Sequence, residues 1–401
     1  MTGDAVEVAV VGGGPTGLTA AIALAAHGIE TALIASPTLR PDNRTSALLI
    51  SSVAALETLN VWGHCREAAA PLCAIRIIDD TRRLLRAPEV MFAAAEVGLD
   101  AFGYNIENSR LVAALEARAA MLAPLAHISE SASSIETNEH CATVMFATGR
   151  RLNTRLVIGA DGRRSLCRSA ARIETDGHEY RQSALTLNMR HRRPHAGIST
   201  EFHGKDGPFT LVPLPGNRSS LVCVVHPAEA DKLNALDDSS MSQEIERRSH
   251  SILGTIAVEP ERGIFRLGVE TARRFATNRV ALVGEAAHVL PPIGAQGLNL
   301  GLRDAATIAE LVVAARRRNA DIGGPAVLAR YDSLRRAEVT QRTVAVDLLN
   351  RSLLSEFLPI HGARGLGLYV IDRIGPLRRA IMREGAGLAG CPPRLMRGET
   401  L

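Results

Sequence analysis

Three short segments combine residue types and spacings that could hold a phosphate-bearing cofactor. The first is Gly12-Gly13-Gly14-Pro15-Thr16-Gly17, in which Gly12, Gly14 and Gly17 stand in G-x-G-x-x-G spacing. In that pattern the first glycine permits a tight turn, the second lets backbone approach a pyrophosphate, and the third lets strand and helix pack closely. A helix starting at Pro15 and Thr16 would aim free N–H groups and a partial positive charge at the phosphate. The turn follows the β-branched run Val6-Glu7-Val8-Ala9-Val10-Val11 and precedes an Ala- and Leu-rich stretch that stops at Gly28. Strand, turn and helix are the context that a dinucleotide site requires. A carboxylate usually closes the second strand of such a unit and binds the adenosine ribose. Here that strand ends Leu33-Ile34-Ala35-Ser36, and Ser36 offers only one weaker hydrogen bond. The turn therefore predicts a dinucleotide without choosing between FAD and NAD.

The second segment is Gly159-Ala160-Asp161-Gly162-Arg163-Arg164-Ser165, with Arg168 one turn further on. The third is Gly284-Glu285-Ala286-Ala287-His288, followed by Pro291-Pro292-Ile293-Gly294-Ala295-Gln296-Gly297-Leu298-Asn299. Each follows a short apolar run that reads as a buried strand, 152–158 and 279–283. His288 sits on an apolar stretch and reads as a structural residue rather than an acid–base catalyst.

These segments need a scaffold, and the composition allows one. The chain has 401 residues, 46% hydrophobic and 22% charged, enough for two or three domains with a sizeable core. It has no apolar run of membrane-spanning length, and the N-terminus reads as lacking a signal peptide. A net charge of +4 and only 3% aromatics argue against a nucleic-acid surface. Six scattered cysteines without a Cys-x-x-Cys pair predict buried free thiols, no disulfide and no metal site. The helical pattern of 109–123 and the strand-like runs 141–146 and 152–158 extend the opening βαβ unit. Between 177 and 261 the pattern changes to short strands punctuated by Pro and Gly, which predicts an antiparallel sheet. A helix over 298–317 and a basic, helical tail follow.

With these motifs in this order, the chain resembles the class A FAD-dependent aromatic hydroxylases, the para-hydroxybenzoate hydroxylase-like group. Within that group it is most similar to the ubiquinone-biosynthesis hydroxylases. The resemblance implies an α/β fold: a GxGxxG-type, Rossmann-like FAD-binding domain with an inserted antiparallel-sheet substrate domain and a helical C-terminus. The expected division is 1–72, 100–176 and 262–350 for FAD, 73–99 and 177–261 for substrate, and 351–401 for the C-terminal segment. It implies that FAD is held by Gly12, Gly14, Pro15, Thr16, Gly17, Ser36, Arg44, Arg110, Asp161, Gly162, Gly284, Glu285, Pro292, Gly294, Ala295, Gln296, Gly297, Leu298 and Asn299. Asp161 and Gly162 would lie near the pyrophosphate. The third motif normally reads Gly-Asp, with the carboxylate on the flavin ribitol. Glu285 is one methylene longer. The loop to Asn299 would favour negative charge at the N1–C2=O edge of the flavin.

The implied activity is NAD(P)H reduction of the flavin, followed by oxygen transfer to a phenol ring through a C4a-hydroperoxide, with NAD(P)H binding only transiently. No side chain is expected to be an obligatory nucleophile, so the catalytic residues are unknown. Substrate contact is expected on the Pro-rich strand around Leu211 and Pro213. The implied substrate is a polyprenylated phenol of ubiquinone biosynthesis, with O2 and other proteins of that pathway as partners. The protein would be cytoplasmic. Ile371, Ile374, Leu377 and Ile381 at helical spacing, among Arg373, Arg378, Arg379 and Arg383, read either as a helix packed on its own domain or as a surface for docking on the inner face of the membrane. Three alternatives stay open: a hydroxylase of a small soluble aromatic, a flavin reductase, and a non-catalytic FAD-binding assembly subunit.

Overall fold

In a computed structural model of the chain, residues 4–36, 44–81, 88–205, 207–354, 373–388 and 390–401 are described. The chain opens with β1 (Asp4–Val11), α1 (Pro15–Ala25) and β2 (Thr31–Ile34), followed by β3 (Thr45–Leu49) and α2 (Ile50–Thr58). Next come β4 (Ala69–Pro71), β5 (Ala74–Asp79), β6 (Val90–Ala93), β7 (Gly103–Glu107) and α3 (Asn108–Ala119). Then follow β8 (Leu125–Ile128), β9 (Ala132–Thr137), β10 (Ala142–Phe146), β11 (Arg151–Gly159) and α4 (Leu166–Ala170).

The central core is a sheet in the order of β8, β2, β1 and β11, continued by β19 (Val280–Leu282) and β18 (Ala276–Thr277). β1 runs parallel to both β2 and β11, and β11 runs parallel to β19. Val8 to Val10, Leu156 to Ile158 and Val280 to Val283 are fully buried, as strands of a parallel sheet covered on both faces must be. α1 is the crossover from β1 to β2. Its residues Gly17 to Ala25 are buried, because α7 (Gln296–Arg317) packs across it.

A second sheet of nine strands holds β12 (Thr175–His191), β13 (Ile198–His203), β14 (Pro208–Leu214), β15 (Arg218–Val225), β16 (Ile256–Val258), β17 (Gly263–Ala272) and β20 (His288–Val289). β5 and β6 complete it, with β5 parallel to β13. This sheet is mostly antiparallel, as expected. Two helices, α5 (Pro227–Asn234) and α6 (Asp238–Arg248), were not anticipated in this region. Ala230 and Leu233 of α5 and Met241 and Ile245 of α6 cover one sheet face, packing on Leu185, Leu187, Met189, Leu211, Leu221 and Cys223. β3, β4 and β7 form a small third sheet. α8 (Pro325–Leu354) and α9 (Gly375–Gly385) lie beyond α7. Among the described residues, no helix is long and apolar enough to cross a membrane.

The cysteines are free. Cys65, Cys167 and Cys223 are buried, and burial raises all three thiols, Cys65 and Cys223 to about 11. Cys73 and Cys141 are half-buried and Cys391 is exposed, so burial holds for only half of the six.

Candidate active site

The three motifs end three neighbouring parallel strands. Val11 is in register with Gly159, and Gly159 with Leu282. The strand ends are laced together where they become turns: Gly12 N–H donates to Ile34 O (2.9 Å), Ala160 N–H to Val11 O (2.7 Å) and Val283 N–H to Gly159 O (2.9 Å). Segments far apart in sequence thus meet along one edge, at the carboxyl ends of the strands, where open α/β sheets bind ligands.

The glycines of the first turn divide their work. Gly12 adopts φ +116°, and a Cβ there would lie 2.2 Å from Ala160 O. A Cβ on Gly17 would lie 2.0 Å from Gly12 O. Both positions are closed by the protein itself. Gly14 differs: a Cβ there would meet nothing within 4 Å. Gly14 is also the N-cap of α1, with no side chain capping the helix, and Pro15 follows. Open space beside an uncapped helix N-terminus is the cradle that a pyrophosphate requires, so these residues fit FAD. Thr16 packs on the third motif instead, since a Cβ on Gly284 or Gly301 would lie 3.1 or 2.6 Å from its Oγ1. Ser36 is exposed just past β2.

Asp161 is committed locally. Its Oδ1 accepts from Ser165 Oγ (2.5 Å) and its Oδ2 from Cys167 N–H (3.0 Å), which caps α4. Gly162 turns with φ +75°. Arg168 joins the second motif to the third by donating to Arg163 O (2.7 Å) and Ala286 O (3.0 Å). Arg44 stacks over the Phe265 ring at 4.9 Å, and Arg110 is exposed in the first turn of α3.

In the third motif Gly284 is buried and Glu285 exposed, within a 3-10 turn. Pro292 and Gly297 are exposed, with Gln296 and Leu298 half-buried between α7 and the surface. Gly294 and Ala295 are both left-handed, at φ 64° and 52°, and this double turn swings the chain into α7. Asn299 has its side chain fully engaged inside the protein. Nδ2 donates to Ala47 O (2.8 Å) and Ala295 O (2.7 Å), and Oδ1 accepts from Leu49 N–H (2.8 Å) and Ser52 Oγ (2.7 Å). Both donors and both acceptor sites are used. Asn299 braces the loop, and its side chain has nothing left for the cofactor.

His288 is buried and donates from Nε2 to Asp304 Oδ2 (2.7 Å), while its ring stacks near Phe275. Burial pushes the Asp304 carboxyl up, but His288 and Arg335 outweigh it and hold it below the ordinary range.

Leu211 and Pro213 correct the substrate expectation. Leu211 is opposite Leu221, and both side chains enter the cluster under α5 and α6. Pro213 is opposite Ser219, which lines a cavity of about 270 Å³ on that same face with Leu211, Thr200 and His195. The other face meets the cofactor domain. Ser220, opposite Val212, accepts from Thr45 Oγ1 (2.9 Å) and Asn105 Nδ2 (3.3 Å). Alternation therefore turns Val212 and Leu214, not Leu211 and Pro213, toward that domain. Val222, Val224 and Ala184 form an apolar patch on this face, beside the polar Thr186, Thr210 and Ser220. Pro213 still contributes its carbonyl, which accepts from Asn105 Nδ2 at 2.9 Å. Both faces of the strand are apolar, so its sequence could not say which one looks at the cofactor.

Fold and site together define a flavin-dependent oxidoreductase built on a Rossmann-like sheet. The chain belongs to the family described as "FAD binding domain", whose model matches residues 5–346. It is 36% identical to a ubiquinone hydroxylase, UbiL, of Rhodospirillum rubrum, covering 100% of this chain and 95% of that one. It is 30% identical to the 3-demethoxyubiquinol 3-hydroxylase of Escherichia coli, covering 97% and 100%. Among solved structures, p-nitrophenol 4-monooxygenase PnpA of Pseudomonas putida DLL-E4 superposes with a TM-score of 0.79 at 20% identity, covering 96% and 99%. That last likeness is one of fold.

Proposed function

We propose that this protein is an FAD-dependent monooxygenase that hydroxylates the ring of a polyprenylated phenol in ubiquinone biosynthesis. The observation that carries this reading is similarity along the whole chain to a ubiquinone hydroxylase, at 36% identity. When bound, FAD supplies the redox chemistry: it accepts hydride from NAD(P)H and delivers one oxygen atom of O2 to the ring. The protein supplies binding, orientation and exclusion of water. Gly14 and the first turn of α1 would hold the pyrophosphate, and Ser36 the adenosine ribose. Gly162, Arg44 and Arg110 would border the cofactor, and Glu285 would reach the ribitol. The turn from Pro292 through Gly294 and Ala295 to Gln296, Gly297 and Leu298 would present its backbone to the ring system. Val212, Val222, Val224 and Ala184 would form the apolar wall along which a prenyl chain lies.

Contact with a membrane surface would run through α9. Ile374, Leu377 and Ile381 are exposed there, and Arg379 and Arg383 stand on the same helix. Arg378 does not belong to that surface. It is buried, pairs with Glu96 (2.6 Å) and stacks on Phe92 (4.6 Å). Ile371 lies outside the described residues.

The test is to give the purified protein a short-chain prenylphenol and NADH or NADPH under oxygen. Hydroxylated product with matching oxygen uptake is expected. Oxidation of the nicotinamide without oxygen uptake would mark a flavin reductase, and absence of bound FAD would overturn the reading altogether.

A further inference from the structure

The third motif is held from behind by buried charge. Asp304, fully buried on α7, accepts three hydrogen bonds: Gly284 N–H at 3.0 Å and His288 Nε2 at 2.7 Å on Oδ2, and Arg335 Nε at 2.7 Å on Oδ1. Two of these bonds fix the two ends of the segment that carries Glu285. The third continues outward. Arg335 pairs with Glu338, which also pairs with Arg303 and with Arg342 (3.3 Å), and Arg342 reaches Gln296 Oε1 (3.3 Å). One connected set of charges therefore grips the flavin-facing loop both at Gly284 and at the start of α7.

A buried ion network is a poor device for stability, because desolvation offsets much of its Coulombic gain, and well-packed apolar residues would serve as well or better. What such a network supplies is a directional, fixed geometry. Here the geometry it fixes is that of Gly284 and of Glu285 beside it.

We propose that Asp304 is a positioning residue for the flavin: through Gly284 and His288 it sets the turn that presents Glu285 to the ribitol. The inference rests on the FAD reading above, and it predicts a specific pattern in variants. Asp304→Asn removes the charge and one of the acceptor sites. Asp321→Asn is the control. Asp321 pairs with the buried Arg279 (2.8 Å to Nη1), next to the opposite end of β19, away from the turn.

The experiment measures FAD dissociation from each holoprotein by flavin fluorescence, the visible spectrum of the bound flavin, and Tm. For Asp304→Asn we expect FAD affinity to fall about tenfold or more, with a shifted flavin band. For Asp321→Asn we expect a lower Tm with FAD affinity and spectrum unchanged. Should Asp304→Asn fail to fold, His288→Gln, which keeps the carboxylate charged, is expected to shift the flavin band. The proposal is overturned if the folded Asp304 variant, or His288→Gln in its place, retains wild-type affinity and spectrum. It is equally overturned if the Asp321 variant loses FAD in step with its Tm. A wild-type protein that binds no FAD would defeat the cofactor reading itself, a result distinct from either of these.

Discussion

At the residue scale, the glycines of the first turn separate two requirements that a sequence pattern merges. Gly17 is closed by Gly12 O at 2.0 Å from a built Cβ, whereas Gly14 has open space and an extended backbone (φ −74°, ψ 173°) that any L-residue can adopt. Gly14→Val should therefore fold with a Tm near wild type and purify without yellow colour. Gly17→Val should lose about 2 kcal/mol or more of stability, because strand and helix must move apart. Thermal melts and flavin content on the two variants test this. Equal destabilisation by both would mean that Gly14 faces protein rather than cofactor. The first turn was legible in sequence because its constraint is local, acting through a few residues in fixed order. Asn299 was read as a cofactor contact because it stands in the right motif. Its four bonds go to residues 47, 49, 52 and 295, three of which no local pattern connects to it.

At the element scale, Asn299 couples α7 to β3 and α2. Asn299→Ala would leave Leu49 N–H and Ala47 O without their partner in a partly buried site, at a cost of about 1–3 kcal/mol. The expected result is a Tm lowered by several degrees together with weaker FAD binding, read from denaturant midpoints with and without added FAD. A variant whose loss is fully restored by saturating FAD would show that the side chain serves the cofactor directly. α9 carries a separate expectation. Leu377→Glu with Ile381→Glu should reduce sedimentation with vesicles of anionic phospholipid, and leave solution activity on a short-chain substrate unchanged. Unaltered sedimentation would remove α9 from membrane contact.

Element type was legible wherever one periodicity ran for a full element, as in α1, β1, β11 and α7. α5 and α6 were missed although their signals were present. Pro227 stands at the first turn of α5, and Asp237 caps α6 by accepting from Ser240 N–H at 2.9 Å. Their apolar residues are few, because only a narrow stripe of each helix meets the sheet. Leu211 and Pro213 show the complementary difficulty. Their strand was placed correctly, but face is set by register with β15, and one step of alternation exchanges the two faces.

At the scale of the whole molecule, the arrangement is a division of labour between two sheets. The parallel sheet gathers three distant turns at one edge, while the mostly antiparallel sheet carries the apolar patch of Ala184, Val222 and Val224 on one face and buries its other face under α5 and α6. The expected α/β architecture, FAD-binding domain and inserted sheet are all present. Hydroxylation demands that a ring be held beside the flavin and that water be kept away. Isotope transfer from oxygen to the ring tests hydroxylation most directly. Purified holoprotein would be given NADH or NADPH, a short-chain prenylphenol and ¹⁸O-labelled dioxygen, and the product examined by mass spectrometry. A ring hydroxylase gives one labelled oxygen on the ring for each product molecule formed, and no product when the nicotinamide is omitted. Nicotinamide oxidation with an unlabelled or unchanged phenol would contradict ring hydroxylation.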